Sequence, residues 1–310
     1  MDVSVNAVMR RGLLRLSTHR GAAVWMRRYG MRLGAARFVA GETLDECVTV
    51  LRRLTESGFE TNTTLLGEGV GDAETAGQVT REYLAVLDRL AEERLPTRLS
   101  VKLTHLGLNV APDLAHDNLA RLVERAGTHG QFVRIDMEES SRVDATLDIY
   151  RRLRDAGSAN VGVVLQAYLR RTGADLEALL PLRPNLRLVK GAYLEPPDVA
   201  FSRKADVDRN LVSLIVRSLR EGGYTAVATH DDKIIGQVRA FVREQGIARD
   251  RYEFQMLYGV RPQLQRDLVA LGERVMVATP YGADWYPYFM RRLAERPANV
   301  LFFVRNLVRR

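Results

Sequence analysis

VMVATPYGADWYPYFMRRL, residues 275–293, runs from a β-branched strand pattern through a Pro280-Tyr281-Gly282 turn into an aromatic-rich helix that carries Arg291 and Arg292. A strand, a turn and a short helix place both guanidinium groups near the strand's carboxyl end. Two permanently charged planar forks side by side suit a carboxylate, since each donates paired hydrogen bonds to its oxygens. A solvated basic helix face is the plainer reading of such a pair. Here Trp285, Tyr286, Tyr288 and Phe289 crowd the same turns, which sets at least one arginine against a packed cleft.

Working back from this stretch, a short aliphatic or β-branched run followed by a helical pattern repeats eight times from residue 61. The strands are expected at 61–66, 98–103, 132–136, 161–166, 186–190, 225–229, 252–256 and 275–279. Helical patterns fall at 73–92, 114–126, 142–155, 206–221, 233–244 and 262–271, and the fourth unit is weakest, with a short helix around 175–180 ending at Pro181. Eight such units without a break in composition predict a (β/α)8 barrel over residues 61–310, in one domain with an N-terminal helical extension over residues 1–60. In that extension, short amphipathic helices break at Gly21, Gly30 and Gly34, and Thr43-Leu-Asp-Glu46 is a capping box that opens a helix ending near Gly58.

The chain of 310 residues is 46% hydrophobic and 27% charged, the balance of a soluble globular enzyme. The single cysteine, Cys47, lies in a helical pattern, reads as inert packing and fits a reducing compartment. A net charge of +8 raises nucleic acid or an anionic membrane surface as partners. The arginines are scattered as isolated pairs such as Arg52-Arg53 and Arg151-Arg152, with no nucleic-acid motif, so no nucleic-acid partner is expected. No stretch has the apolar core of a signal peptide or the roughly 18 apolar residues of a membrane span, so a cytoplasmic protein is expected.

What stands at the strand ends carries the chemistry. Glu68 lies just past the first strand, Lys102 in the second, Asp136, Gln166 and Lys190 end the third to fifth, Thr229-His230 follows the sixth, and Gln255 lies in the seventh. Strand interiors read as aliphatic. Barrel enzymes work at the carboxyl-terminal face, so these groups are expected to converge there with Arg291 and Arg292. Any one of them could be structural, as a lysine paired to Asp136 inside the barrel would be. Together, Lys102, Arg187, Lys190, Arg291 and Arg292 outweigh Glu68, Asp136 and Glu295, which favours an anionic ligand.

His19, His105, His116, His129 and His230 do not fall at ligand spacing, so no metal is expected. The absence of an obvious nucleophile points to a bound cofactor. Gly67-x-Gly69-x-Gly71 lacks the last glycine of a dinucleotide fingerprint, where Asp72 stands. Better phosphate candidates are Lys190-Gly191-Ala192 and Thr229-His230-Asp231, the latter ahead of a helix N-terminus.

The segments VKLTHLG (101–107), RIDMEES (134–140), QAYLRR (166–171), RLVKGAYLE (187–195), ATHDD (228–232), YEFQMLYG (252–259) and PYGADWYPYFMRRLAERPANVLFF (280–303), in this order, resemble the proline dehydrogenase family. The resemblance implies a distorted (β/α)8 barrel binding FAD non-covalently. It also implies oxidation of L-proline, a small cyclic amino acid, to 1-pyrroline-5-carboxylate, with electrons passed to a quinone or other acceptor through transient contact with the inner face of the membrane. Carried over residue by residue, it assigns Lys102, Arg291 and Arg292 to the substrate carboxylate, Tyr288 and Leu257 to the ring, and Asp136 and Arg187 to catalysis. Arg187 then approaches the flavin N5 edge. Met137, Gln166, Lys190, Gly191, Ala192, Thr229 and His230 match cofactor contacts, and Glu68 matches a gate residue that pairs with Arg291. The chain departs from the pattern at Ala278, a substrate-pocket position where the family commonly has tyrosine. The missing ring allows the alternative of a larger or hydroxylated cyclic amino acid, such as hydroxyproline, as substrate.

Overall fold

The computed structural model describes residues 34–221 and 223–295; the helices expected before Gly34, the resemblance after Glu295 and the side chain of Glu295 lie outside the described residues. Within them, the parallel strands β1 (Glu60–Leu65), β2 (Arg98–Lys102), β3 (Val133–Asp136), β4 (Val161–Gln166), β5 (Asn185–Val189), β6 (Tyr224–Ala228), β7 (Tyr252–Leu257) and β8 (Val275–Tyr281) pair in sequence order and close into a barrel. The register Asn62↔Ala278 and Thr63↔Thr279 joins β8 back to β1.

The helix α1 (Leu44–Glu56) precedes the barrel, and its capping box is formed as the sequence predicts, with Thr43 Oγ1 accepting the Glu46 N–H and the Glu46 carboxylate accepting the Thr43 N–H. Its buried Cys47 lies 3.3 Å from Thr63 Oγ1 on β1, and burial pushes the thiol up to about 12, which keeps it protonated and inert. Between strands follow α2 (Ala73–Glu92), α3 (Pro112–Thr128), α4 (Val143–Asp155), α5 (Thr172–Leu179), α6 (Lys204–Arg220), α7 (Asp232–Glu244) and α8 (Pro262–Ala270); α9 (Trp285–Glu295) comes after β8. Their apolar stripes cover the outward side of the strands and form the main core with residues such as Leu99, Val101, Val133, Ile135 and Val163.

Two features differ from the sequence expectation. The chain does not turn at Pro280: β8 continues through Tyr281, and the turn falls at Gly282, whose φ is +125°. The Pro280 carbonyl accepts from Ala40 N–H, and Gly282 N–H donates to the Gly41 carbonyl. The segment before α1 thus extends the pairing at this corner.

Nor are the strand interiors aliphatic. At the amino-terminal end the barrel holds a charged layer in which Arg98 bridges Glu253 (2.7 Å) and Glu60 (2.9 Å), and Arg274 meets Glu60 (2.6 Å). Arg134, 1% exposed, donates to the backbone and side-chain oxygens of Asn185 and stacks on Phe132. Burial, with Arg187 nearby, lowers its pKa to about 9. A Cβ on Gly162 would lie 2.5 Å from Arg134 Nη1, so the glycine makes room for that guanidinium.

Candidate active site

The aromatic crowding around the arginine pair has a definite purpose in the structure. Trp285, Tyr286, Phe289 and Met290 of α9 are buried with Ala35, Phe38, Val39 and Leu66 in a cluster separate from the main core. Trp285 Nε1 donates to Glu42 (2.6 Å), and Trp285 packs edge-on to Tyr286 and Phe289. These contacts dock α9 over the carboxyl-terminal ends of β1 and β8. Arg292, 9% exposed, lies over the Tyr288 ring at 5.2 Å, while Arg291 remains half-buried.

Opposite Arg291, the Glu68 carboxylate is shared between Arg291 Nη1 (3.2 Å) and Lys102 Nζ (2.5 Å). Burial works to raise its pKa, but Lys102 and then Arg291 outweigh it and hold the carboxyl below its ordinary value. The loop that presents Glu68 is anchored by Thr104, whose Oγ1 accepts from Gly69 N–H (3.2 Å) and whose carbonyl accepts from Val70 N–H (3.1 Å). Buried Glu138 in turn accepts from the Thr104 backbone and hydroxyl. Beneath the loop, burial and then Lys102 push His105 down to about 4, so its ring is neutral at physiological pH.

A second group lies deeper. Arg187 on β5 donates from Nη1 to Asp136 (2.7 Å), from Nη2 to Ser100 Oγ (3.1 Å), and from Nε to Gln255 Oε1 (2.5 Å). Burial lowers its pKa against the opposing pull of Asp136. Leu257 and Ala278 are neighbours in the β7–β8 register above this group.

The third group spans β4 to β7. Gln166 Nε2 donates to Glu138 O (2.8 Å), Met137 is 6% exposed, and His230 Nε2 accepts the Leu257 N–H (2.9 Å), which fixes the proton of the neutral ring on Nδ1. Lys190 is held between Asp208 (2.6 Å) and Asp231 (3.0 Å). Asp231 also accepts from Lys233 N–H at the start of α7. Burial opposes its ionisation, but Lys190 dominates and its pKa falls to about 2. The helix N-terminus expected to face an anion is therefore met by a protein carboxylate. Gly191, at φ +115°, is required by Tyr168: a Cβ would fall 2.1 Å from that ring.

The residues picked out along the sequence thus form an ion-paired group of Lys102, Glu68 and Arg291, a part-buried Asp136–Arg187 pair and a polar β4–β7 quadrant at one face. Ser100, Asn62, Glu138, Asp208 and Glu253 were not picked out. The signal for Ser100 and Glu253 was present in the strand alternation, each lying two residues from a selected position on the same face.

Comparison with known proteins accords with this geometry. A family model described as proline dehydrogenase matches residues 47–305. Proline dehydrogenase 1 of Bacillus subtilis strain 168 is 42% identical over 303 residues, covering 98% of this chain and 100% of its own. The proline dehydrogenase of Deinococcus radiodurans is 42% identical over 89% of this chain and 90% of its own. Among solved structures, proline utilization A of Bdellovibrio bacteriovorus, inactivated by N-propargylglycine, superposes with a TM-score of 0.82 at 23% identity. The match covers 94% of this chain but 37% of that larger one, so it speaks to the barrel fold alone. With the family model spanning most of the chain and full-length relatives at this identity, the chain belongs to the proline dehydrogenase family.

Proposed function

We propose that the protein oxidises L-proline to 1-pyrroline-5-carboxylate using non-covalently bound FAD. The observation that carries this reading is the Glu68 carboxylate seated between Lys102 and Arg291: the barrel mouth already accommodates a carboxylate. A substrate carboxylate is held by Lys102, Arg291 and Arg292 with charge-assisted hydrogen bonds, while Glu68 stays paired with Arg291 and closes the mouth as a gate. Tyr288 and Leu257 pack on the ring, and Asp136 holds Arg187 in place. Excess cationic charge from Lys102, Arg187, Arg291 and Arg292 disfavours a protonated ring nitrogen and so favours the neutral amine, the state from which oxidation proceeds.

The β4–β7 quadrant fits a flavin nucleotide. It combines the donors Arg187, Lys190, Gln166 and Thr229 with small residues, Ala226 and Ala228, on β6, and the family resemblance adds Met137, Gly191, Ala192 and His230 as cofactor contacts. Bound there, a flavin supplies the hydride acceptor that the side chains lack. Purified protein is expected to be yellow and to release FAD on denaturation; protein that stays colourless after incubation with FAD would overturn this assignment. Electrons then pass to a quinone or another acceptor. Among the described residues no helix is long and apolar enough to cross a membrane, which suits a cytoplasmic enzyme that meets the membrane transiently.

Ala278 favours a second reading of specificity. The residues able to replace a missing aromatic wall are committed elsewhere: Thr279 Oγ1 bonds to Val277 O, Tyr281 is buried against the main core, and Tyr286 packs on Trp285. The pocket is therefore wider beside the ring, and trans-4-hydroxyproline is accepted relatively better than a tyrosine at this position would allow. Introducing Ala278→Tyr is expected to shift the ratio of kcat/KM values towards proline by roughly tenfold, about the worth of 1.4 kcal/mol. An unchanged ratio would remove Ala278 as a determinant.

A further inference from the structure

We propose that Gln255 is a positioning residue for Arg187, oriented by the fully buried Glu253. Gln255 is 4% exposed and Glu253 0%. The amide oxygen of Gln255 accepts from Arg187 Nε at 2.5 Å, and its Nε2 donates to Glu253 Oε1 at 2.6 Å. The same Glu253 oxygen accepts from Arg98 Nη1 at 2.7 Å.

This chain of contacts has one permitted direction. Turning the Gln255 amide over would set its NH2 against the guanidinium N–H and its carbonyl against a carboxylate, two repulsive contacts in place of two attractive ones. Glu253 is kept ionised because Arg98 outweighs the opposing effect of burial. The charged layer at the amino end of the barrel therefore selects the amide orientation that supplies an acceptor to Arg187.

With Nη1 on Asp136, Nη2 on Ser100 and Nε on Gln255, the guanidinium is held on three sides and its plane is fixed. An apolar side chain at 255 would leave the Nε–H without its acceptor in a buried place, and the group would tilt to find another. A carboxylate there, with Glu253 retained, would place two anions in contact. Glutamine is the side chain of this length that satisfies both neighbours at once. The role rests on the functional reading above, in which Arg187 faces the reacting atoms.

The test uses holoenzyme and compares wild type, Gln255→Met and the exchange variant Gln255→Glu/Glu253→Gln. In the exchange variant both arginines keep an acceptor and only the bond between positions 253 and 255 reverses: the new carboxylate accepts from Arg187 and from the new amide, whose oxygen accepts from Arg98. Three quantities are measured: the anaerobic rate of flavin reduction by L-proline, the flavin midpoint potential, and the Kd of tetrahydrofuran-2-carboxylate, which carries oxygen in place of the ring nitrogen.

Gln255→Met is expected to slow flavin reduction about 10- to 100-fold, the effect of misplacing a reacting-site group by about 1 Å. The midpoint potential should move to more negative values, because a displaced cation stabilises the reduced flavin less. The Kd of the carboxylate probe should stay within about twofold, since Lys102, Arg291 and Arg292 are untouched. The exchange variant should recover most of the wild-type rate, while the added carboxylate beside Arg187 keeps its potential below that of wild type.

A Gln255→Met holoenzyme with wild-type rate and potential would overturn the proposal, as would a folded exchange variant as slow as Gln255→Met. If Gln255→Met fails to fold, the exchange variant alone decides between the same two results. A wild-type holoenzyme that proline leaves oxidised would instead overturn the functional reading, and this role with it.

Discussion

Replacing Arg292 with methionine is expected to weaken binding of a cyclic amino acid by about 2 to 5 kcal/mol, roughly 30-fold to several thousand-fold, while FAD content stays at the wild-type level. The size follows from burial. Arg292 is 9% exposed and stacked over Tyr288, so its charge meets the substrate carboxylate with little water to screen it. Arg291→Met should act in the same direction and near the lower end of that range. Its side chain is 31% exposed and is already shared with Glu68. Methionine preserves much of the apolar stem, so the α9 cluster should survive in both variants. The measurement is the KM for proline together with the flavin absorbance of each purified variant. Near-normal KM values in both would mean that the pair is a surface feature and the clamp is wrong.

A second large effect is expected far from the substrate. Glu253→Ala removes a carboxylate with no exposed surface from a layer that otherwise holds Arg98, Arg134 and Arg274 against Glu60 alone. Breaking a buried ion pair from one side costs about 3 to 5 kcal/mol, because the remaining charge is left uncompensated. Arg98 retains Glu60 and is 19% exposed, which favours the lower figure. A fall in the thermal midpoint on the order of 5 to 10 °C is expected from a loss near 3 kcal/mol. A midpoint unchanged from wild type would show that the layer contributes little to stability.

The fold was legible because its period is regular. Parallel strands covered by helices give short β-branched runs such as 161–166, and the helical patterns between them have the spacing that a right-handed crossover requires. Boundaries slipped where a tertiary contact overrode a local signal. Pro280 reads as a turn, yet pairing with Thr64 and Leu65 of β1 carries β8 two residues further. The arginine pair stood out because Arg291 and Arg292 stand beside aromatics, and Asp136 because it ends a strand, whereas Arg187 drew its role from the family resemblance. The lower charged layer was not seen. Arg98, Arg134 and Glu253 look like isolated charges in the sequence, and only barrel closure brings β2, β3 and β7 within reach of one another. The same holds for Lys190, whose carboxylate partners Asp208 and Asp231 lie 18 and 41 residues away along the chain.

The central claim, that this barrel oxidises proline through a bound flavin, is tested most directly by adding L-proline to FAD-loaded protein without oxygen and following the flavin absorbance. Loss of the oxidised-flavin band with formation of 1-pyrroline-5-carboxylate, one product per flavin, is the expected result. A flavin-loaded protein whose spectrum is unmoved by proline, and by trans-4-hydroxyproline, would contradict it.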